Sequence, residues 1–307
     1  MESMEVSMEV QTLAGTVEPQ FLGSQLPFKL SKDEKKDIKA AVSRASSQHP
    51  LLIACGVHEL YMPSLYKAVL IEFCATVVFV YFHIAIVNAG ISNGSSYPPT
   101  AIAFLHALLI PVLILSFGRS SGAHFNSLVT ISAVATKHMP VVRGILYVAA
   151  QILGAFIGGM CMVVSLSQSQ AESSNLGGCN PGSKSGAQAL CIEFFTCLLM
   201  LIPTYGTAFN EKQRAVYGAV LPPVFIGATI FVMVYSVASL GDPPFTPGGF
   251  PNMCLGISLA YSTIVPWNQA FIKMWVYWVG PILAVTVNAV LYGIAPPHHD
   301  ADDDKEE

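Results

Sequence analysis

The hydrophobic positions of the chain form long unbroken runs, with neither the alternation of a strand nor the single stripe of a surface helix. Runs near the length of about 20 residues that a helix needs to cross a bilayer lie at 66–88, 100–117, 143–166, 187–207, 216–239 and 271–293. Helices that are apolar all round belong in lipid or in the heart of a bundle, so six spans are predicted. Two further apolar segments, opening at Asn126 and at Asn252, are too short to cross. Each is predicted as a half-helix that enters the membrane and starts near the midplane, because irregular backbone at that depth survives only where it is buried in protein or lines a water-filled cavity.

The pattern also repeats. Ile71-Glu72-Phe73 in the first run recurs as Ile192-Glu193-Phe194 in the fourth, at an offset of 121, and Asn126 recurs as Asn252, at an offset of 126. Three spans per half make the second half enter from the opposite side, which is an inverted repeat. The chain therefore reads as an all-α membrane protein in four parts: an N-terminal segment over 1–62, a first repeat over 63–178, a second over 179–295 and an acidic tail over 296–307. Within the first part, Ser31 to Arg44 reads as a short charged helix in solvent or on a membrane surface. The tail reads as disordered.

Composition agrees with this reading. With 53% hydrophobic residues, 11% charged residues and a mean hydropathy of +0.55, the 307 residues have too little polar surface for a soluble globule. The basic residues sort by side. Lys29, Lys32, Lys35, Lys36, Lys39, Arg44 and Lys67 precede or open the first run, Arg119, Lys137 and Arg143 separate the second from the third, Lys212 and Arg214 separate the fourth from the fifth, and Lys305 lies in the tail. Only Lys184 and Lys273 fall on the other side, so the positive-inside rule predicts two cytoplasmic termini. Met1 to Gln20 is acidic and polar, unlike a signal peptide, which leaves insertion to the first span. The same topology puts Asn93-Gly-Ser95 outside, where Asn93 can accept a glycan.

The seven cysteines show no spacing for a metal site or a disulfide framework. Cys74, Cys161, Cys191 and Cys197 fall in spans as small packing residues, and Cys179 is predicted outside with no obvious partner. No metal or cofactor is implied, and a net charge of −4 implies no nucleic-acid partner.

Candidate chemistry begins with the two asparagines. Each, at the head of a half-helix, turns a side-chain amide and a positive helix end toward whatever passes. Glu72 and Glu193 are the two acids inside spans, and a buried carboxylate needs partners. They are read either as a proton or cation relay or as acceptors that hold the backbone of the re-entrant loops. Their symmetry and the want of an intramembrane Lys or Arg favour the second. Gly154 and Gly158, at GxxxG spacing, allow close helix crossing. No paired nucleophile and base suggests an enzyme.

Over residues 64–294 the chain resembles the aquaporin (major intrinsic protein) family. The residues that carry the likeness are Glu72-Phe73, Gly118-Arg-Ser-Ser-Gly-Ala-His-Phe-Asn126, Val129-Thr130, Gln151-Ile-Leu-Gly154-Ala155 and Trp275-Val-Tyr-Trp-Val-Gly-Pro281. The resemblance implies a right-handed bundle of six spans and two half-helices, assembled as a homotetramer with a pore in each subunit. It also implies a pore waist at Asn126, Ser127 and Leu128 and at Asn252, Met253 and Cys254, where the family has Asn-Pro-Ala twice. Both asparagines remain and both following prolines are replaced. Proline at a first helical position fixes the turn without losing a donor, and Met253 offers no such help.

The resemblance further implies an outer selectivity filter of His106, Val234, Gly249 and Leu255. Leu255 stands where the family has an arginine that donates to the permeant and repels cations. Gly256 stands where glycerol facilitators have an aspartate. The filter is similar to the histidine-and-aliphatic filters of tonoplast-type members, with a merely packed His106 as the alternative. His124, beside Asn126, is read as a support of its loop or as a pH-sensitive gate.

The function expected from all this is a passive channel for water and small neutral solutes, with hydrogen peroxide, ammonia and small polyols in range. Paired half-helix dipoles and Asn126 and Asn252 would exclude ions. A gated or non-conducting structural membrane protein on the same scaffold is the alternative, and a coupled transporter a third class. Either the plasma membrane or a vacuolar or other intracellular membrane fits.

Overall fold

A computed structural model describes residues 55–92, 99–238, 240, 246 and 248–294. The segment Ser31 to Arg44, the sequon at Asn93 and the acidic tail lie outside the described residues. Among the described residues, six helices are long and apolar enough to cross a membrane: α1 Pro63–Ser92, α2 Pro99–Ser121, α4 Val141–Ser165, α6 Gly186–Thr204, α8 Leu221–Ala238 and α11 Val276–Ile294. Two shorter ones, α3 Ser127–Ala135 and α9 Pro251–Tyr261, are the half-helices, and α5 Gln168–Ser173, α7 Glu211–Tyr217 and α10 Trp267–Ala270 lie in connections.

The fifth and sixth spans start later than their apolar runs. Residues from 216 join α7 until Gly218, whose φ of +66° turns the chain into α8 at Leu221. Residues 271–275 form turns around Lys273, at φ +47°, before α11 begins. At the other end of its span, α6 runs into a π-helical turn, Tyr205–Phe209.

Helix contacts follow the internal repeat. α1 packs on α4 as α6 packs on α11, and α1 meets α2 as α6 meets α8. Each half-helix leans on the last span of the other half, α9 on α4 and α3 on α11, while α2 and α8 close the ring. The half-helices thus lie inside the bundle and their N-termini meet at its centre. The face where α1 starts is called here the near face, and the opposite one the far face.

Small residues set these crossings. A Cβ on Gly154 would lie 2.7 Å from the Phe73 carbonyl oxygen, and one on Gly158 would lie 2.8 Å from that of Val77. Both distances are too short for any side chain, so the GxxxG pair lets α4 touch the backbone of α1. Gly256 does the same for the second half-helix, where a Cβ would come within 2.4 Å of Ala155 Cβ and 2.7 Å of the Phe156 nitrogen. An aspartate at this position would collide with α4, which gives the glycine a packing reason. Gly256→Leu is accordingly expected to abolish the monodisperse folded peak in size-exclusion chromatography, because the obstacle is backbone and cannot turn aside. A normal elution profile would show that α9 sits elsewhere.

At the near face, Arg143 at the start of α4 is buried and paired with Glu59, its Nε and Nη2 donating to the two carboxylate oxygens at 3.0 Å each. One of the basic residues counted toward orientation is therefore neutralised inside the protein. The pair ties the 3-10 turn Val57–Tyr61 to the bundle, and burial lowers the pKa of His58 in that turn, partly offset by Glu59.

Candidate functional site

The loop that leads from α2 into α3 is held open by one carboxylate. Glu72 accepts four hydrogen bonds: from Ser121 Oγ at 2.6 Å, from the backbone amides of His124 and Phe125 at 3.0 and 2.7 Å, and from Gln151 Nε2 at 2.9 Å. The loop needs this support, for Ala123 and Phe125 both have positive φ, at +50° and +28°. Such backbone costs side-chain-bearing residues about 1–3 kcal/mol each unless the surroundings fix it.

Glu193 repeats the device in the second half. It accepts from the amides of Gly248 and Gly249 at 2.6 and 3.0 Å. Here glycine carries the strain, since Gly249 has a φ of +73° and a Cβ on Gly248 would lie 2.8 Å from the carboxylate oxygens. Both acids therefore act on loop backbone through hydrogen bonds, and among the described residues neither has a Lys or Arg partner.

The two asparagines close the centre differently. Asn126 is the N-cap of α3, its Oδ1 accepting from the Leu128 amide at 2.9 Å. Asn252 is not a cap of its own helix. α9 starts one residue earlier, with Pro251 in its first turn and Phe250 as N-cap. The fixed φ that the sequence reading missed after Asn252 is supplied by the proline before it. Freed from capping α9, Asn252 Oδ1 accepts from the Ser127 amide at 2.9 Å and so caps the opposite half-helix.

Each asparagine also donates across the centre. Asn252 Nδ2 bonds to the Phe125 carbonyl at 3.2 Å, and Asn126 Nδ2 to the Gly249 carbonyl at 3.0 Å. The second donor direction of Asn126 meets Met200 Sδ at 3.7 Å. Ser127, Leu128, Met253 and Cys254 are buried around this crossing, and Ser127 Oγ donates to Gln151 Oε1.

Cys254 corrects the sequence reading of the cysteines. It is bonded to Cys179, their Cα atoms 5.1 Å apart across a sequence separation of 75. The far-face connection after α5 thus dips onto the first turns of α9. Asn180 pairs there with Thr246 as an isolated antiparallel bridge. The pairing was hidden because the two cysteines share no local spacing.

Beside the crossing lies a cavity of about 30 Å³, room for one water, walled by Ile110 and Ile114 of α2, Met200 and Thr204 of α6, Ile226 and Ile230 of α8, and Phe250. Its wall is almost wholly apolar, with His124, Asn126 and Thr204 as the polar residues among those that line it. His124 is buried, its Nδ1 lies 3.1 Å from Thr130 Oγ1, and its ring packs against Tyr147 and Phe209. Below it toward the near face, Phe209 stacks on Tyr205 and meets His138, and Tyr205 joins Ser132 of the first half-helix and its C-cap Thr136 by hydrogen bonds. This aromatic layer was not foreseen. The π turn that presents Tyr205 and Phe209 has no signature in the apolar run.

The four residues of the expected outer filter have distinct settings. His106 is buried one helical turn beyond Ile110 on the same face of α2. Its Nδ1 lies 2.8 Å from the Ile102 carbonyl and its Nε2 lies 2.9 Å from Nδ1 of His83, a partner on α1 that the sequence reading did not single out. Gly249 is surrounded by Thr196, Met200 and Met233, whose side chains come within 3.5–3.6 Å of a Cβ built there. The α8 residue that turns toward Gly249 is thus Met233, and its neighbour Val234 is half-buried against the core. Leu255 is half-buried in the first turns of α9.

The sequence model of the family described as Major intrinsic protein matches residues 59–292. Curated relatives include Aquaporin PIP2-4 of Oryza sativa subsp. japonica, 28% identical over 78% of this chain and 85% of the relative. Probable aquaporin PIP2-7 of the same plant is 31% identical over 76% and 80%, and the lens fiber major intrinsic protein of Ovis aries is 28% identical over 76% and 82%. Among solved structures, the aquaglyceroporin from Plasmodium falciparum superposes with a TM-score of 0.59 at 20% identity, over 76% of this chain and 98% of that one, a likeness of fold.

Proposed function

The chain belongs to the major intrinsic protein family, and from that premise we propose that it passes water and small neutral solutes through the central crossing of its two half-helices. It is a passive channel embedded in a membrane. The observation that carries the finer reading is the water-sized cavity beside Asn126, where two helix N-termini meet. Positive helix ends at the midplane oppose cations and protons. We assign the waist to Asn126, Ser127, Leu128, Asn252, Met253 and Cys254 and the outer filter to His106, Val234, Gly249 and Leu255. Glu72, Glu193 and His124 hold the loops. With Leu255 where the family has an arginine, the filter takes small neutral solutes beyond water, with hydrogen peroxide, ammonia and small polyols in range. The protein is a channel with no chemical step.

The chain divides functionally into an N-terminal segment over 1–62, repeats over 63–178 and 179–295, and a tail over 296–307. Both termini face the cytoplasm. The disulfide between Cys179 of the far-face connection and Cys254 supports this, since such bonds persist away from the reducing cytosol. The assembly is a homotetramer, as the family would have it, and the membrane is the plasma membrane or that of a vacuole or similar organelle, with Asn93 open to glycosylation.

Stopped-flow shrinkage of proteoliposomes tests the reading, with water, glycerol and hydrogen peroxide compared in the wild type and in Leu255→Arg. Water and peroxide are expected to cross faster than in empty vesicles, and the arginine is expected to narrow the range toward water. Folded protein that passes no solute would overturn the constitutive channel.

A further inference from the structure

The contact between His83 and His106 has a proton count that two neutral rings cannot meet. His83 Nε2 lies 2.9 Å from the Gly177 carbonyl oxygen, and His106 Nδ1 lies 2.8 Å from that of Ile102. A carbonyl only accepts, so each of these ring nitrogens carries a hydrogen. A neutral imidazole has one N–H, which leaves His83 Nδ1 and His106 Nε2 as bare lone pairs. Yet those two nitrogens lie 2.9 Å apart, at hydrogen-bond distance. A third proton between them satisfies all three contacts at once.

We propose that His83 and His106 together hold three protons and form a fixed single positive charge in the wall of the outer constriction, where it repels cations. The proposal rests on the channel reading for its role and on the three contacts for its charge. His106 shares a face of α2 with Ile110 and Ile114, which line the central cavity, so the pair occupies the next layer toward the far face. A charge in that layer does what the arginine missing at Leu255 would do.

The surroundings of the pair are fixed and free of competing acids. From α1, Phe79 stands 6.0 Å from the His83 ring. The 3-10 turn Asn175–Gly177 is pressed on α1, since a Cβ on Gly177 would lie 3.1 Å from Ile84 Cα, and this holds its carbonyl in place. Glu172 on the adjacent α5 is exposed and accepts from Gln168. The one titratable group facing either ring among the described residues is the other ring. Burial opposes the charge, and the three contacts hold it.

Nitrogen-15 spectra of the histidine-labelled full-length protein in nanodiscs at neutral pH test the count directly. The expected result is a coupled pair of rings bearing three protons on four nitrogens, lost in both His83→Gln and His106→Asn. Two rings with one proton each would overturn the proposal, and that result needs only the wild type. In proteoliposomes, His83→Gln is expected to admit methylammonium, which the wild type excludes, while water still crosses. A variant that still excludes methylammonium would overturn the role in cation exclusion. A three-proton pair in vesicles closed to water would keep the charge and overturn the channel reading with it.

Discussion

Replacing Glu72 by leucine is expected to cost the protein its fold. The carboxylate is the shared acceptor for four donors, two of them amides of a loop that enters the membrane. Each buried donor left without a partner costs about 1–3 kcal/mol, so the sum rivals the roughly 5–15 kcal/mol by which whole proteins are stable. Loss of the acceptor also releases Ala123 and Phe125 from their positive φ, and with them the seat of Asn126. Glu72→Gln is expected to fall between, since its amide keeps one acceptor and turns an N–H₂ toward other donors. Glu193→Leu is expected to be milder than Glu72→Leu, because it orphans two amides on glycines. Thermal unfolding in detergent ranks the series. If Glu72→Leu melts within about 2–4 °C of the wild type, the shift that roughly 1 kcal/mol produces in a domain of this size, the carboxylate does not organise the loop.

Much of this arrangement was legible because the membrane writes in long signals. Six apolar runs and two asparagines at matching places are enough to give spans, half-helices and the inverted repeat, and Glu72 and Glu193 stand out as acids where acids are costly. What escaped depends on tertiary contact. The motif places the start of the second half-helix at Asn252, while the turn is made by Pro251, one residue earlier. His83 is an ordinary interruption of an apolar run until α1 and α2 bring it against His106. Met233 and Val234 are equivalent in sequence, and only the rotation of α8 decides which approaches Gly249.

Loss of the Cys179–Cys254 bond is expected to be the second large effect, and it has a signature that separates a cross-link from two packed thiols. The bond joins the far-face connection to the first turn of α9 across 75 residues of chain. A cross-link of that length typically contributes about 2–4 kcal/mol. The connection has other anchors, in the Asn180–Thr246 bridge, in Gly178 against Ile257 and in the Gly177 carbonyl bonded to His83. Its removal should therefore lower stability without unfolding the bundle. Cys179→Ser and Cys254→Ser are each expected to lower the melting temperature, and the double variant to lie close to either single one, because the second substitution has no bond left to break. Melting temperatures that fall additively would mean that the two cysteines act separately and that no bond joins them. Both sulfur-bearing residues are buried, at 5% and 0% exposure, so a reductant is expected to leave the bond intact at temperatures below the melting transition.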